Sequence, residues 1–395
     1  MTVYLDHAAT TPVDSRVLDE MKPFFSRKFG NASSLHFFGR EAREAVEVAR
    51  ERVARLVGAS PDEIVFTSGG TEADNLAVLG GFEAAHGKKI VCSAIEHPAV
   101  LEPCNELERR GAQKALLPVD GEGIVDLNAA PEVICGASLV SVMHANNEVG
   151  SIQPIKELAR MAHEQGALFH CDAVQSAGKI AVDVRKLGVD LLVFSSHKIY
   201  GPKGVGALYV REGVKINPIV FGGGQEHALR SGTENVACIV GFGMACELAL
   251  RELPRESKRL ALLRDRLLKK LLEIKGSFLN GPVGEKRLPN NVNVSFEAVE
   301  GESIVLGLDG FGIAASTGSA CSSRKLQPSH VLLAMGRRPE EAHGSLRFTL
   351  GRSTTAKQVD FAAAKTAKVV ERLRVMSPFK PGDDLSKIDF GGHAE

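Results

Sequence analysis

The chain has 395 residues, more than the roughly 100–200 that one hydrophobic core usually organises, so two domains are expected. Lys and Arg total 48, as do Asp and Glu, which leaves no net positive field to draw the protein to nucleic acid or an anionic membrane. A hydrophobic share of 44% with 24% charged residues excludes a disordered, collagenous or disulfide-scaffold chain.

In chain order, Ala42 to Val57 alternate charged and apolar residues at helical spacing, and the apolar run Ile64 to Phe66 stops at Thr67, Ser68, Gly69 and Gly70. Helix, strand and glycine turn are predicted there. Further apolar runs near Ile90–Cys92, Leu139–Met143, Ala167–His170 and Leu191–Phe194 alternate with helical stretches such as Ile155–Glu164, and Gly204–Val210 adds a strand. Strands alternating with helices predict an α/β fold with a mostly parallel, doubly wound sheet. After Leu253 the character changes: Pro254 precedes a Leu-, Lys- and Arg-rich amphipathic stretch to Lys275 that reads as a connecting helix. Strands at Val292–Phe296 and Ser345–Leu350 and a helix at Ala356–Arg374 then predict a smaller α+β domain. The expected division is a large domain over residues 16–254, and a small domain from residues 1–15 and 255–395.

Seven Cys at irregular spacings include no Cys-x-x-Cys pair, so no metal site is expected and a reducing compartment fits best. The first residues reach Asp6 and His7 before any apolar run, and no run of about 18 apolar residues occurs, so neither a signal peptide nor a membrane span is expected. A cytoplasmic location is the expectation.

Ligands of open α/β sheets sit beyond the carboxyl ends of the strands, so the residue ending each apolar run is informative. Gly69, Gly70 and Thr71 end the first strand, where free backbone N–H groups at a helix start suit a phosphate, although such a turn can equally be a plain structural joint. Glu96 and His97 follow Cys92; His144, Asn146, Asn147 and Glu148 follow Met143; Asp172 ends one run, and Ser195, Ser196, His197 and Lys198 end the next. A lysine amine and a carboxylate at adjacent strand ends are the two charged groups that pyridoxal phosphate chemistry requires: the amine forms the Schiff base, and the carboxylate keeps the pyridine nitrogen protonated.

Over essentially its whole length the sequence resembles the cysteine desulfurases of the fold-type I, class V aminotransferase-like superfamily. The resemblance rests on Leu5–Pro12 (LDHAATTP), Thr67–Asn75 (TSGGTEADN), Glu96–Pro98, His144–Gly150 (HANNEVG), His170–Ser176 (HCDAVQS), Ser195–Gly204 (SSHKIYGPKG), Arg230–Val236 (RSGTENV) and Ser316–Ser322 (STGSACS). It implies a pyridoxal 5′-phosphate enzyme in which Lys198 carries the cofactor, Asp172 pairs with its ring nitrogen, and His97 stacks on the ring and shuttles protons. Gly70, Thr71, Ser195 and His197 would lie at the phosphate, with Thr233 reaching across from the second subunit of a homodimer. Gln175 and Asn147 would sit near the ring hydroxyl and the substrate, and Arg347 would hold the carboxylate of L-cysteine.

Cys321 lies among Ser316, Thr317, Gly318, Ser319, Ala320, Ser322 and Ser323, small residues that suggest an accessible loop, about 312–328. Cys171 and Cys135, within apolar runs, read instead as buried small hydrophobes. By resemblance the Cys321 thiolate takes the substrate sulfur as a persulfide, releases alanine, and passes sulfur to an acceptor such as an iron-sulfur scaffold protein. The loop resembles the branch with the longer catalytic loop, and Gly382–Phe390 resembles a scaffold-docking tail, a plain solvated terminus being the equal alternative. The competing readings are a selenocysteine lyase or another class V enzyme, which Cys321 discriminates, and a non-catalytic sulfur relay, which would not need Lys198.

Overall fold

The computed structural model describes residues 2–318 and 328–383; Cys321 and the tail from residue 384 onward lie outside the described residues. In chain order the elements used below are β1 (Val3–Tyr4), α1 (Phe37–Val57), β2 (Ile64–Thr67), α2 (Gly70–Asn75), β3 (Lys89–Ser93), α3 (Pro98–Arg109), β4 (Gln113–Leu117), β5 (Leu139–Ser141), α4 (Ile155–Glu164), β6 (Leu168–Asp172), β7 (Leu191–Ser195), β8 (Gly206–Val210), α5 (Val236–Leu271), β9 (Ser277–Leu279), β10 (Asn291–Phe296), β11 (Ile313–Ala314), β12 (Ser345–Thr349) and α6 (Ala356–Met376).

Seven strands form one sheet in the order β2-β8-β7-β6-β5-β3-β4. Only β8 runs against its neighbours, pairing antiparallel with both β2 and β7, so the carboxyl ends of the other six strands open on one edge. The strands read as near-continuous apolar runs because helices cover both faces: Val91, Val140, Phe169, Leu192 and Phe194 are buried in the main core. The half-polar β4, Gln113–Leu117, was not legible as a strand because it is the edge of the sheet and buries only Leu117.

A second core gathers β10 and β12 with Leu260, Leu267, Leu271, Ile304, Val359 and Val370, over a three-stranded antiparallel sheet β12-β10-β9. The parallel pair β1–β11 packs into it through Val3 and Ile313, and Leu5 joins the same core, so the first residues of the chain are built into C-terminal structure.

The helix expected to begin after Pro254 begins at Val236 and runs unbroken to Leu271. At 36 residues it is about 54 Å long. Its first half buries Ile239, Phe242, Ala245 and Leu248 in the main core; its second half buries Leu260, Leu267 and Leu271 in the other. Packing on both sides of Pro254 outweighs the ~3 kcal/mol that an internal proline costs. The apolar opening stretch, residues 236–246, lacks the alternation of a surface helix because it is buried nearly all round. Cys135 is a second correction: it is exposed, because the helical turn Ala130–Ile134 ends there and lifts it out of the core that takes Ile134. Cys171 is buried as expected. Among the described residues no helix is long and apolar enough to cross a membrane.

Candidate active site

Lys198 closes the single helical turn Ser196–Lys198 that follows β7. Its Nζ donates to the carbonyl oxygens of Ala8, at 2.5 Å, and Ala9, at 2.8 Å. Those carbonyls are held in place twice: Thr349 Oγ1 of β12 accepts from the Ala8 N–H at 2.8 Å, and Thr11 donates from its N–H and its Oγ1 to the His197 carbonyl. His197 Nδ1 pairs with Thr10 Oγ1 at 3.1 Å. The amine is therefore aimed by the amino-terminal segment.

Asp172 ends β6, paired in register with Val193 of β7. Its side chain is buried, and Oδ1 accepts the Val174 N–H at 2.8 Å. Burial, with the Asp74 carboxylate close by, pushes its pKa up to about 7. Two residues earlier on the same face of β6, His170 lies between Ser141 Oγ, 2.8 Å from Nδ1, and Asp74 Oδ1, 3.4 Å from Nε2, all three fully enclosed. Desolvation keeps His170 neutral, its pKa pulled down to about 4.

The Ser195 Oγ at the end of β7 is buried and has no hydrogen-bond partner among the described residues. It lies beside the glycine turn after β2: a Cβ on Gly70 would stand 3.7 Å from the Ser195 Cβ and only 3.0 Å from Val174, and one on Gly206 would meet the backbone of Gly69 at 2.7 Å. Glycine is thus required where β8 passes under the turn, and Gly70 and Thr71 open the helix.

His97 caps α3, its Nδ1 accepting the Ala99 N–H at 3.1 Å. Burial and the nearby Lys198 lower its pKa to about 4, so the ring is neutral throughout the neutral range. Gln175 donates from Nε2 to the Ala8 carbonyl at 3.0 Å, touching the same oxygen as Lys198. Arg347 of β12 is buried; Nη2 pairs with Asp6 Oδ1 at 2.9 Å and Nη1 donates to the Asn147 carbonyl at 2.9 Å, while Nε has no partner among the described residues. Lys198, Asp172, Gln175, His197, Ser195, Gly70 and Thr71 thus share one edge of the sheet, with Arg347 reaching it through Asn147. Thr233 stands apart, exposed ahead of α5, and Cys321 lies outside the described residues.

Reading strand ends for roles missed Asp6, Asp74, Lys179 and His170; the first two stand inside quoted motifs, but their partners, Arg347 and His170, are distant in sequence. Glu96 is a further buried carboxyl: Oε1 accepts from Ser93 Oγ (2.5 Å) and the Met143 N–H (2.7 Å), and desolvation holds its pKa well above the usual value. The folded state therefore keeps a proton that the unfolded chain releases above about pH 4.3, so this group's stabilising effect is full at low pH and is lost as pH rises, by about 1.4 kcal/mol per unit. Glu96→Gln removes that loss. Its thermal midpoint relative to the parent is expected to climb from pH 5 to pH 8; a pH-independent difference in differential scanning calorimetry would refute the reading.

These residues fit pyridoxal 5′-phosphate on three grounds. Asp172 is a buried carboxyl that a cationic ring nitrogen would draw back to the ionised form. Ser195 Oγ is an orphaned donor beside a glycine-lined helix start, where a phosphate would satisfy it. Lys198 supplies the amine between them.

A fold with a catalytic-type lysine and a carboxylate on neighbouring parallel strands defines a class of cofactor-dependent transferases, and comparison with known proteins agrees. The family model for Aminotransferase class-V matches residues 3–361. Cysteine desulfurase IscS of Dictyoglomus turgidum is 53% identical over 389 residues, covering 98% of each chain. Cysteine desulfurase IscS 1 of Archaeoglobus fulgidus is 53% identical over 378 residues, 95% of this chain and 98% of that one. Among solved structures, a NifS-like protein superposes with a TM-score of 0.89 at 41% identity, covering 94% of this chain and all of the other. The chain belongs to the class V aminotransferases and, within them, to the cysteine desulfurases, whose cofactor is pyridoxal 5′-phosphate.

Proposed function

We propose that the protein is a cysteine desulfurase that converts L-cysteine to L-alanine and places the sulfur on Cys321 for an acceptor protein. The observation that carries this reading is the pairing of Lys198 and Asp172 at the ends of adjacent parallel strands, with His97 and Arg347 on the same edge.

When bound, pyridoxal phosphate supplies an electron sink that makes the substrate α-proton removable. The protein's own residues do the rest. Lys198 Nζ holds the cofactor, and the Asp172 carboxylate orients it through the ring nitrogen. Gly70, Thr71, Ser195 and His197 bind the phosphate, with the partner subunit's Thr233. Gln175 lies at the ring hydroxyl and Asn147 beside the substrate. His97, neutral above about pH 4, presents a ring face and a nitrogen free to move a proton. Arg347 exchanges Asp6 for the substrate carboxylate, a bidentate task that suits a guanidinium. The Cys321 thiolate attacks the substrate sulfur: an S–S bond forms, the C–S bond breaks, and its electron pair stays on carbon, which takes up a proton to give alanine.

A homodimer is supported by an exposed aromatic cluster, in which Phe29 and Phe38 stack at 5.4 Å and Phe37 packs edge-on to Phe38 at 5.5 Å. The acceptor is an iron-sulfur scaffold or similar sulfur carrier, and the location is cytoplasmic. The two cores support a large domain at 16–254 and a small one from 1–15 and 255–395.

The test is alanine release from L-cysteine by the purified protein with pyridoxal phosphate. The expected yield is about one alanine per chain without a thiol acceptor, because the persulfide blocks Cys321, and continuous turnover with one. Multiple turnovers without any acceptor, or turnover of L-selenocysteine alone, would overturn the reading.

A further inference from the structure

Lys179 is an amine that the mechanism leaves unused, yet it is 9% exposed and points inward. Its Nζ donates to the Gln175 carbonyl at 2.8 Å and reaches the Gln175 Oε1 at 3.3 Å. An ammonium offers donors and no acceptor, so the amide oxygen of Gln175 turns towards it and Nε2 is left to donate to the Ala8 carbonyl at 3.0 Å. The same carbonyl accepts from Lys198 at 2.5 Å. Two amines, Lys179 buried and Lys198 half-buried, are thus joined through one amide and one carbonyl, and both line a cavity of about 30 Å³, room for a water or two.

We propose that Lys179 is a positioning residue for the reactive amine: it fixes which end of the Gln175 amide faces the site, and as a second cation beside Lys198 it makes the nitrogen that Lys198 contributes easier to deprotonate. This rests on the functional reading above, since it assumes that Lys198 carries the cofactor.

Several groups face the pair. From the Lys198 turn, His197 is neutral; from the amino-terminal segment, His7 is enclosed with both ring nitrogens unpartnered and its pKa lowered to about 4 by burial and by Lys179. His97 and Asp172 face Lys198 from the substrate side. From α5, Glu252 and Glu256 line the cavity, but the first pairs with Arg16 and Arg352 and the second with Arg259. The two α5 carboxylates that could offset a second cation are therefore occupied by arginines. Burial, then Lys198, pulls the Lys179 pKa down to about 7, so it is charged below neutral pH and about half charged at pH 7. Like charge disfavours a protonated neighbour, so removing Lys179 raises the pH at which the Lys198 nitrogen loses its proton.

The test is a pH titration of the visible absorbance of the cofactor-loaded protein in Lys179→Met and Lys179→Gln. The absorbance midpoint is expected to move to higher pH by about one unit, a tenfold change in the proton equilibrium, in both variants. A second readout uses the cofactor-free protein. At pH 6, where Lys179 is charged in the parent, the visible band is expected to appear about tenfold more slowly in the variants after pyridoxal phosphate is added, because less of the amine is neutral. Lys179→Gln keeps a polar group for the Gln175 carbonyl, so a shift in Lys179→Met alone would mean lost packing and would overturn the inference. An unchanged midpoint in folded variants with a normal band would also overturn it. A parent protein that gains no band with pyridoxal phosphate would instead overturn the assignment of Lys198.

Discussion

Lys198→Ala is expected to form no visible cofactor band and to lose alanine production by roughly 10⁴-fold or more, while remaining folded. The reasoning is local. Lys198 is the amine placed beside Asp172, Gln175 and His197, and its partners include the two backbone carbonyls of Ala8 and Ala9, which water can satisfy when the side chain is gone. The contact with Ala9 is open to solvent, so the stability cost is modest and the catalytic cost large. Far-ultraviolet circular dichroism, visible absorbance and alanine assay on one preparation separate the two. A variant that retains even a tenth of parent turnover would exclude a covalent role for this amine and would favour a non-catalytic sulfur relay.

Cys321→Ser is expected to behave oppositely: a normal cofactor band that responds to L-cysteine, and loss of persulfide and alanine by roughly 10³-fold or more. A serine hydroxyl is not ionised near neutral pH and is a poor nucleophile towards sulfur, whereas a thiol with a pKa near 8.5 supplies some thiolate already at pH 7. Mass spectrometry of protein incubated with L-cysteine gives the direct measurement, a gain of one sulfur atom in the parent and none in the variant. Full alanine production by Cys321→Ser would point to a class V reaction that needs no protein thiol. Cys135, the exposed thiol, provides the control, since Cys135→Ser should leave both readouts unchanged.

The strand ends were readable because burial on both faces writes a strand as an apolar run, and the first polar residue after it marks the open edge. Asp172, Ser195, Lys198 and His97 were located this way. The pairings that finish the site were not readable, because they join residues far apart in sequence. Asp6 meets Arg347, Ala8 meets Lys198, and Asp74 meets His170 only after the sheet and the second core have formed. Lys179 follows Gly178 and has no apolar pattern around it to mark it as buried; it is enclosed because the chain turns back under α5 there, with Ala249 3.2 Å from where a Cβ on Gly178 would lie. The start of α5 was misplaced for a related reason: a proline signals an interruption, and only the two cores gripping either half reveal that there is none.

The pairing of β1 with β11, and of the Ala8 N–H with Thr349, has a consequence for how the protein comes into being. The segment that supports the reactive amine is made before the sheet, yet its docking partners lie more than 300 residues downstream. Such distant closure is slow and comes late. A nascent chain halted before residue 349 would hold a largely complete seven-stranded sheet with the segment beneath Lys198 undocked, so competence to take up the cofactor waits for the strand that carries Thr349.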